Sequence, residues 1–571
     1  MFIGGLALLD EFWGLTRLAR TARGFAWLGG KQQIPGGNDR KKRNCADAGA
    51  LRFFRGEVVE RIGVNRRMLQ GMLTGKPTTS LRRDVAVLGA ISALIVVVHF
   101  LMGNGYGFHR DELQFMDDAR HLQWGFVAFP PMTSFFGRLA IALFGISPQV
   151  LRLPAALVNA VSLVLAGLIA RELGGKRAAQ IIALLLSLPL ALTFSSVLQY
   201  NTFDLLAWSV LILSTAHVLR TGDERFWLGA GLGLGLGVMS KYAIAFPLAS
   251  LLAALVLLPS QRHHLKSRWF WMGAGVAVVI AAPNFIWLAR HHFITLQMEH
   301  FIHLRDVRNG RAKGYFTDQF KFMMFGLPFA VGGLIALLRS PRFRLLSAFY
   351  VGPFVLLALV KGRGYYLLPA YPVVYAAGAV GLETWLATRA KAVRGVVYGA
   401  VVAAVLAEAG AIAWAYLPIW CPGSAAWNWQ MKNNSDMANE VGWPEFVAQV
   451  AAVRDRLSPA ERAQYAVLAE NFGEAGALQL YGPKHGLPVP ISTVNDFHDR
   501  GYGAFEPQTV IIVGGNLEDE SRFFEGCSVV ATVHLPYGVQ DEETVDHPQI
   551  LVCHRMRFSW PVVWGRSQDF G

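Results

Sequence analysis

The sequence predicts a polytopic α-helical membrane protein of about eleven transmembrane helices that ends in a small α/β domain. Three observations predict it. First, 53% of the 571 residues are hydrophobic and only 16% are charged, where a soluble domain carries about a quarter. Second, apolar runs of about twenty residues, the length that crosses a bilayer, recur through the middle of the chain. Third, the texture changes after Tyr416, where apolar runs shorten to strand length and alternate with helix-like stretches.

The elements follow in chain order. Residues 1–83 carry sixteen Arg and Lys against six acids and read as a basic cytoplasmic extension without a packed fold. The predicted spans lie near 85–103, 150–170, 178–198, 203–219, 226–240, 242–258, 269–289, 318–338, 343–360, 365–386 and 394–416. The run from Phe226 to Leu258 is too long for one span. Lys241 interrupts it, and a Lys is costly in mid-membrane, so two helices meeting at the outer face are expected. Glycines at alternate positions from Gly229 to Gly237 lie inside this run with no preceding strand, so they read as close helix packing and not as a nucleotide loop.

Orientation comes from alternate short loops. Arg171, Lys176 and Arg177, then Arg220 and Arg225, Arg262 and Lys266, Arg339 and Arg342, and Arg389 and Lys391 mark one face as cytoplasmic. The net charge of +14 is therefore an orientation signal, and nucleic acid is not an expected partner. The loop after the first span and residues 417–571 then lie outside. In that last domain Cys527 and Cys553 fall on two predicted strands and either form a disulfide or remain two thiols. The four Cys contain no CxxC, which argues against a structural zinc site.

The chemistry is expected in the outer loops. GYGFHRDELQFMDD places Asp111, Glu112, Asp117 and Asp118 directly after the first span, where charge is expensive unless it works or pairs. Asp111 reads either as a catalytic carboxylate or as a partner of Arg110 that anchors the loop. Asp117 and Asp118 read as a brace for the juxtamembrane helix. Positive charge also sits where the orientation rule does not want it: Lys241, the segment 290–313 with Arg305, and Lys361 with Arg363. Lys and Arg at an outer membrane face suit an anionic ligand such as phosphate.

HRDELQFMDDARHLQWGFVAFPPM is followed in order by LPAALVNAVSLVLAGLIARELGGKRAAQ, QYNTFDLLAW, SKYAIAFPLA and GRGYYLLPAYPVVYAAGA, then by ENFGEAGALQLYG and GLPVPIST. On these motifs the chain resembles, over roughly residues 84–520, the family 39-type glycosyltransferases of the GT-C superfamily. These are similar to protein O-mannosyltransferases and to the lipid A aminoarabinose transferase. The resemblance implies a GT-C-like transmembrane domain at 84–416 in a bacterial inner membrane, with the domain 417–571 outside. It implies that a sugar passes, with inversion, from a polyprenyl-phosphate donor to a lipid, glycan or protein acceptor at the extracytoplasmic face.

Carried over residue by residue, the family's essential outer-loop acid matches Asp111, with Glu112 beside it, and a second acid matches Asp204. The donor phosphate falls to Lys241 and Lys361, with Arg363 and Arg305 near them. Tyr242, Tyr365 and Tyr366 pack around the sugar or bond the phosphate. Some members of the superfamily use a divalent metal, for which this sequence shows no decisive ligand set. A transporter or flippase of lipid-linked saccharides is the alternative, since it too needs outer-face cations, although no two-fold repeat is visible.

Overall fold

A computed structural model of the protein describes residues 79–571 together with Leu73. Most of the predicted basic extension 1–83 thus lies outside the described residues. The helical part runs α1 (Leu81–Met102), α2 (Arg110–Arg120), α3 (Met132–Phe144), α4 (Pro148–Glu172), α5 (Arg177–Ser195), α6 (Tyr200–Thr221) and α7 (Trp227–Val238). It continues with α8 (Ala245–Leu257), α9 (Arg268–Arg290), α10 (Ile294–Arg308), α11 (Leu327–Arg339), α12 (Ala348–Leu359), α13 (Tyr371–Ala387) and α14 (Lys391–Tyr416).

Each of the eleven predicted spans is helical. Among the described residues, eight helices are long and apolar enough to cross a membrane alone. The count is nine if the bent pair Tyr242–Leu257 and Pro259–Lys266 is one span. The difference comes from shortness. α7 has 12 residues, about 18 Å at 1.5 Å per residue, against a hydrocarbon core of about 30 Å. The long apolar run does divide at Lys241, whose backbone is extended (φ −159°, ψ 130°) between α7 and the turn leading to α8.

The alternate glycines of α7 serve packing. A Cβ on Gly231 would lie 1.9 Å from the carbonyl oxygen of Gly273 on α9, and one on Gly233 would lie 2.7 Å from the backbone nitrogen of Leu211 on α6. The three helices touch at backbone distance, which only small residues allow.

After α14 the chain builds α15 (Trp443–Asp455), β1 (Tyr465–Ala469), α16 (Phe472–Tyr481), β2 (Thr509–Val513), β3 (Phe524–Thr532), α17 (Glu542–Asp546) and β4 (Gln549–Met556). The sheet order is β1-β2-β4-β3, with β1 parallel to β2 and the other pairs antiparallel. Cys527 and Cys553 face each other across β3 and β4 and are joined by a disulfide, which decides the choice that spacing had left open.

α2 belongs physically to this second domain. Its Leu113, Phe115 and Met116 share one buried cluster with Phe446, Val450, Phe472 and Val513. Gly476 of α16 lies so close to α2 that a Cβ there would come 2.7 Å from that of Leu113. The sheet domain is therefore seated on the loop that follows the first span.

The predicted brace at Asp117 and Asp118 is part of this seat. Arg500 pairs with Asp117 and lies 3.8 Å from Asp118. Asp496 accepts from the backbone nitrogen of Val127 at 2.9 Å. Burial pushes the Asp496 carboxyl up to about 7 against the pull of Val127 and Arg500. Burial, with Asp496 and Asp117 alongside, raises Asp118 well above the ordinary value. An unfolded Asp titrates near about 3.9. The proton that the fold holds on Asp496 thus contributes stability that is complete below that value and is lost as pH rises through about 7. Asp496→Asn keeps an oxygen for Val127 and removes the titration. Thermal unfolding in detergent should show wild type losing ground to the variant as pH goes from about 5 to 8. Parallel pH profiles would show that another group titrates.

Candidate active site

A cavity of about 580 Å³ opens between the helix bundle and the sheet domain. Asp111, Lys241, Tyr242, Arg305, Arg363 and Tyr366 all line it. A smaller pocket of about 90 Å³ adjoins it and is lined by Asp111, Tyr365 and Arg363 among others. Residues far apart in the sequence are thus brought to one place.

Asp111 sits in the first turn of α2, and local chemistry fixes where it stands. His109 caps the helix: its Nδ1 accepts from the backbone nitrogen of Asp111 at 3.1 Å, while the Glu112 carboxylate accepts from the backbone nitrogen of His109 at 2.9 Å. Burial pushes the His109 imidazole below its ordinary value, so near pH 7 it is neutral and able to accept. Arg110 does not pair with Asp111. It turns to Glu542 at 2.6 Å and Glu543 at 3.1 Å on α17. The Asp111 side chain, 39% exposed, faces both cavities.

Glu112 points the other way. It is fully buried, accepts from Arg152 Nε and Nη2 at 2.9 and 2.8 Å, and accepts from the backbone nitrogen of Leu198 at 2.9 Å. It lines neither cavity, so the expectation of Glu112 beside Asp111 at the chemistry is corrected. Neighbours on a helix diverge by about 100°, and here one faces solvent and the other the core. Asp204 is corrected in the same way. It is buried one turn into α6, accepts from Trp208 Nε1 at 3.1 Å, and does not line the cavity.

Lys241 emerges at the break after α7. Its Nζ donates to Asn201 Oδ1 at 2.8 Å and lies 3.9, 4.9 and 5.0 Å from the ring centres of Tyr366, Tyr200 and Tyr365. No carboxylate lies within ion-pair distance of it among the described residues, so the aromatic faces hold the charge. Arg363 is held by both carboxylate oxygens of Asp306 on α10, Nη2 to Oδ1 at 2.9 Å. Tyr242 donates to Asn284 Oδ1 at 2.8 Å.

Lys361, expected beside the phosphate, is instead exposed and lines neither cavity. It occupies a left-handed turn (φ 54°) just after α12, which aims its neighbour Arg363 inward and leaves Lys361 outside.

Sequence reasoning missed what the sheet domain brings. Glu542, Glu543 and Asp569 also line the cavity, and no local pattern marks them, because their approach depends on how the domain is seated; Glu470 and Asn471, which open the motif ENFGEAGALQLYG, line it too, without the sequence having given them a role. Asp306 had a faint signal as an acid inside the basic stretch RDVRNGR. For metals, the described residues hold one group of three His, Cys, Asp or Glu side chains with ligand atoms within 4.8 Å. It is Glu224, His263 and His264, none of which lines the cavity.

Known structures share this fold. Over 83% of this chain and 98% of the other, the protein superposes on ArnT from Cupriavidus metallidurans bound to undecaprenyl phosphate, with TM-score 0.53 at 15% identity. The protein has the GT-C fold. The apo form of the same ArnT gives a TM-score of 0.50 over the same share of both chains. Within the GT-C fold, residues 129–287 match the family model described as dolichyl-phosphate-mannose-protein mannosyltransferase. Among curated proteins, the lipopolysaccharide core galacturonosyltransferase RgtB of Rhizobium johnstonii is 29% identical over 37% of this chain and 44% of its own. The lipid A galacturonosyltransferase RgtD of the same organism is 28% identical over 40% and 46%. The chain spans less than half the length of these curated relatives.

Proposed function

We propose that the protein transfers a sugar, with inversion, from a polyprenyl-phosphate donor to an acceptor hydroxyl at the extracytoplasmic face of the bacterial inner membrane. One observation carries the reading. Asp111, whose carboxylate has no Lys or Arg within ion-pair distance among the described residues and only His109 at 4.0 Å, shares a cavity with Lys241 and Arg363 at the seam of the bundle and the sheet domain. The GT-C fold, an ArnT structure that holds undecaprenyl phosphate and relatives named as glycosyltransferases of lipid A and lipopolysaccharide core support it. They make an envelope glycolipid the favoured acceptor class.

In this reading the acceptor hydroxyl lies against Asp111, which takes its proton as the oxygen attacks the anomeric carbon. The bond from that carbon to the phosphate oxygen breaks on the opposite face, and its electron pair leaves with the lipid phosphate. Lys241 and Arg363 offset the charge that develops there. A single displacement inverts the anomeric centre. Tyr242 and Tyr366 flank the sugar, and Glu112 positions Asp111 through the helix cap. Tyr200, Lys241 and Arg363, which line the cavity, lie at the ends of helices. That favours transfer at one face over flipping across the midplane.

The test is a labelled sugar on polyprenyl phosphate, added to membranes that contain or lack the protein, with mass spectrometry of glycolipids and glycoproteins. A sugar-sized mass difference on one glycolipid class is the expected result, and identical profiles with no label transfer would overturn the reading. Lys241→Ala should weaken polyprenyl-phosphate binding by roughly tenfold, the effect of about 1.4 kcal/mol. Unchanged binding would reduce Lys241 to a packing role.

A further inference from the structure

The end of the bundle opposite the cavity holds a second cluster of side chains. α6 runs from Tyr200 at the cavity to Thr221, and its 22 residues span about 33 Å at 1.5 Å per residue. Beyond it the 3-10 turn Glu224–Phe226 leads into α7, and the 3-10 segment Pro259–Lys266 joins α8 to α9. The positive-inside rule assigns both loops to the cytoplasm. Glu224 comes from the first loop, and His263 and His264 come from the second. Each offers one ligand atom, and the three atoms lie within 4.8 Å of one another.

Neighbours on a 3-10 helix diverge by about 120°, yet the His263 and His264 rings lie 4.0 Å apart between centres. His263 Nδ1 donates to the Ser260 carbonyl at 3.1 Å, which leaves its Nε2 free to ligate, the outer-shell bond that metal-binding histidines normally make. Trp227 Nε1 donates to Glu224 Oε2 at 2.8 Å and fixes the carboxylate, whose Oε1 meets His264 Nδ1 at 2.7 Å. His264 is buried and His263 exposed, so an ion has a path from water. A plain Glu–His hydrogen bond needs only His264 and gives no reason for His263 to turn to the same point. Glu224 also has no Lys or Arg within ion-pair distance among the described residues, although these loops are basic. Arg225 and Arg268 lie on the Trp269 ring, and Arg262 donates to the Val256 carbonyl. The acid faces imidazoles and not guanidiniums.

We propose that Glu224, His263 and His264 bind a transition-metal dication of the Zn²⁺ class, and that the ion clasps the α6–α7 loop to the α8–α9 loop. Two imidazoles and one carboxylate suit Zn²⁺, with water as the fourth ligand. Mg²⁺ and Ca²⁺ prefer oxygen ligands and are poorly served here. The absence of CxxC argues only against a thiolate site and does not bear on these ligands. The clasp joins the far ends of α7 and α8, the two short helices that meet at Lys241, and so braces the hairpin that carries this residue into the cavity.

The test is calorimetric titration with Zn²⁺ of the full-length protein in detergent, freed of any affinity tag and stripped with EDTA. One Zn²⁺ should bind per chain and raise the midpoint of thermal unfolding, as any ligand of the native state does, whereas Mg²⁺ should do neither. His263→Ala and Glu224→Gln should each weaken Zn²⁺ binding by at least about tenfold, since even an outer-shell partner of a metal ligand is worth about 10- to 100-fold. Their metal-free unfolding should stay near wild type, because His263 is exposed and Gln at position 224 keeps an oxygen for Trp227. If one variant melts lower without metal, the other decides. His303→Ala, at an exposed His on α10, should bind Zn²⁺ as wild type does. No binding by wild type, equal stabilisation by Mg²⁺, or wild-type affinity in a folded His263→Ala or Glu224→Gln protein would overturn the proposal.

Discussion

Asp111→Asn is expected to lower sugar transfer by about 10²- to 10⁴-fold, the usual worth of a positioned general base, with little change in folding. Asn preserves the shape of Asp and removes its ability to take a proton. The helix cap does not depend on the carboxylate, because it runs from His109 Nδ1 to the Asp111 backbone nitrogen and from Glu112 to the backbone of His109. Nor does the salt-bridge network, because Arg110 is committed to Glu542 and Glu543. The measurement is transfer of labelled sugar by purified variant and wild type, with thermal unfolding as the check on fold. A variant at wild-type rate would remove Asp111 from the chemistry. A variant that lost activity and folding together would make it structural instead.

The largest effect on stability is expected at Arg152, the ion-pair partner of the neighbouring Glu112. Arg152→Met should cost about 3–5 kcal/mol, the range for breaking a buried ion pair by removing one partner. Arg152 and Glu112 are both essentially inaccessible to water. Arg152 also donates to the Gly107 carbonyl at 2.9 Å and reaches Glu440 at 3.3 Å. Burial, outweighing Arg152, pushes the Glu440 carboxyl up to about 8, so near pH 7 its proton stays and Glu112 is the group that carries charge opposite Arg152. Removing the guanidinium strands that charge and frees the loop before α2, α4 and the turn at Leu198 from one another. A double-mutant cycle with Glu112→Gln, read by thermal unfolding, should recover much of the loss, since the stranded charge is gone. A cost below about 1 kcal/mol, or strictly additive variants, would mean that the pair does not organise the site.

These neighbours show how far the site was legible. The acidic loop after the first span stood out because a cluster of charge beside a membrane demands a reason, and outer-face Lys and Arg stood out because they oppose the orientation rule. Both signals are local. The sequence could not separate Asp111 from Glu112, because their roles follow from the direction in which α2 is seated. Nor could it separate Lys361 from Arg363, two positions apart in one turn, where a left-handed backbone at Lys361 sends one side chain to solvent and the other to Asp306. Asp204 had the right residue type and the right span but points into the bundle.

By itself the sequence determined the class of the molecule. Twenty-residue apolar runs must be helices in a bilayer, because the other arrangement that satisfies backbone hydrogen bonds there, a closed barrel, is built from strands of about ten residues, and the shortening of those runs after Tyr416 marks the sheet domain. Only the tertiary structure decided the site. Residues 111, 241, 305, 363 and 542 line one cavity because α2 packs into the sheet domain and carries it over the bundle. Hydropathy records which residues leave water, and it is nearly blind to which of them meet.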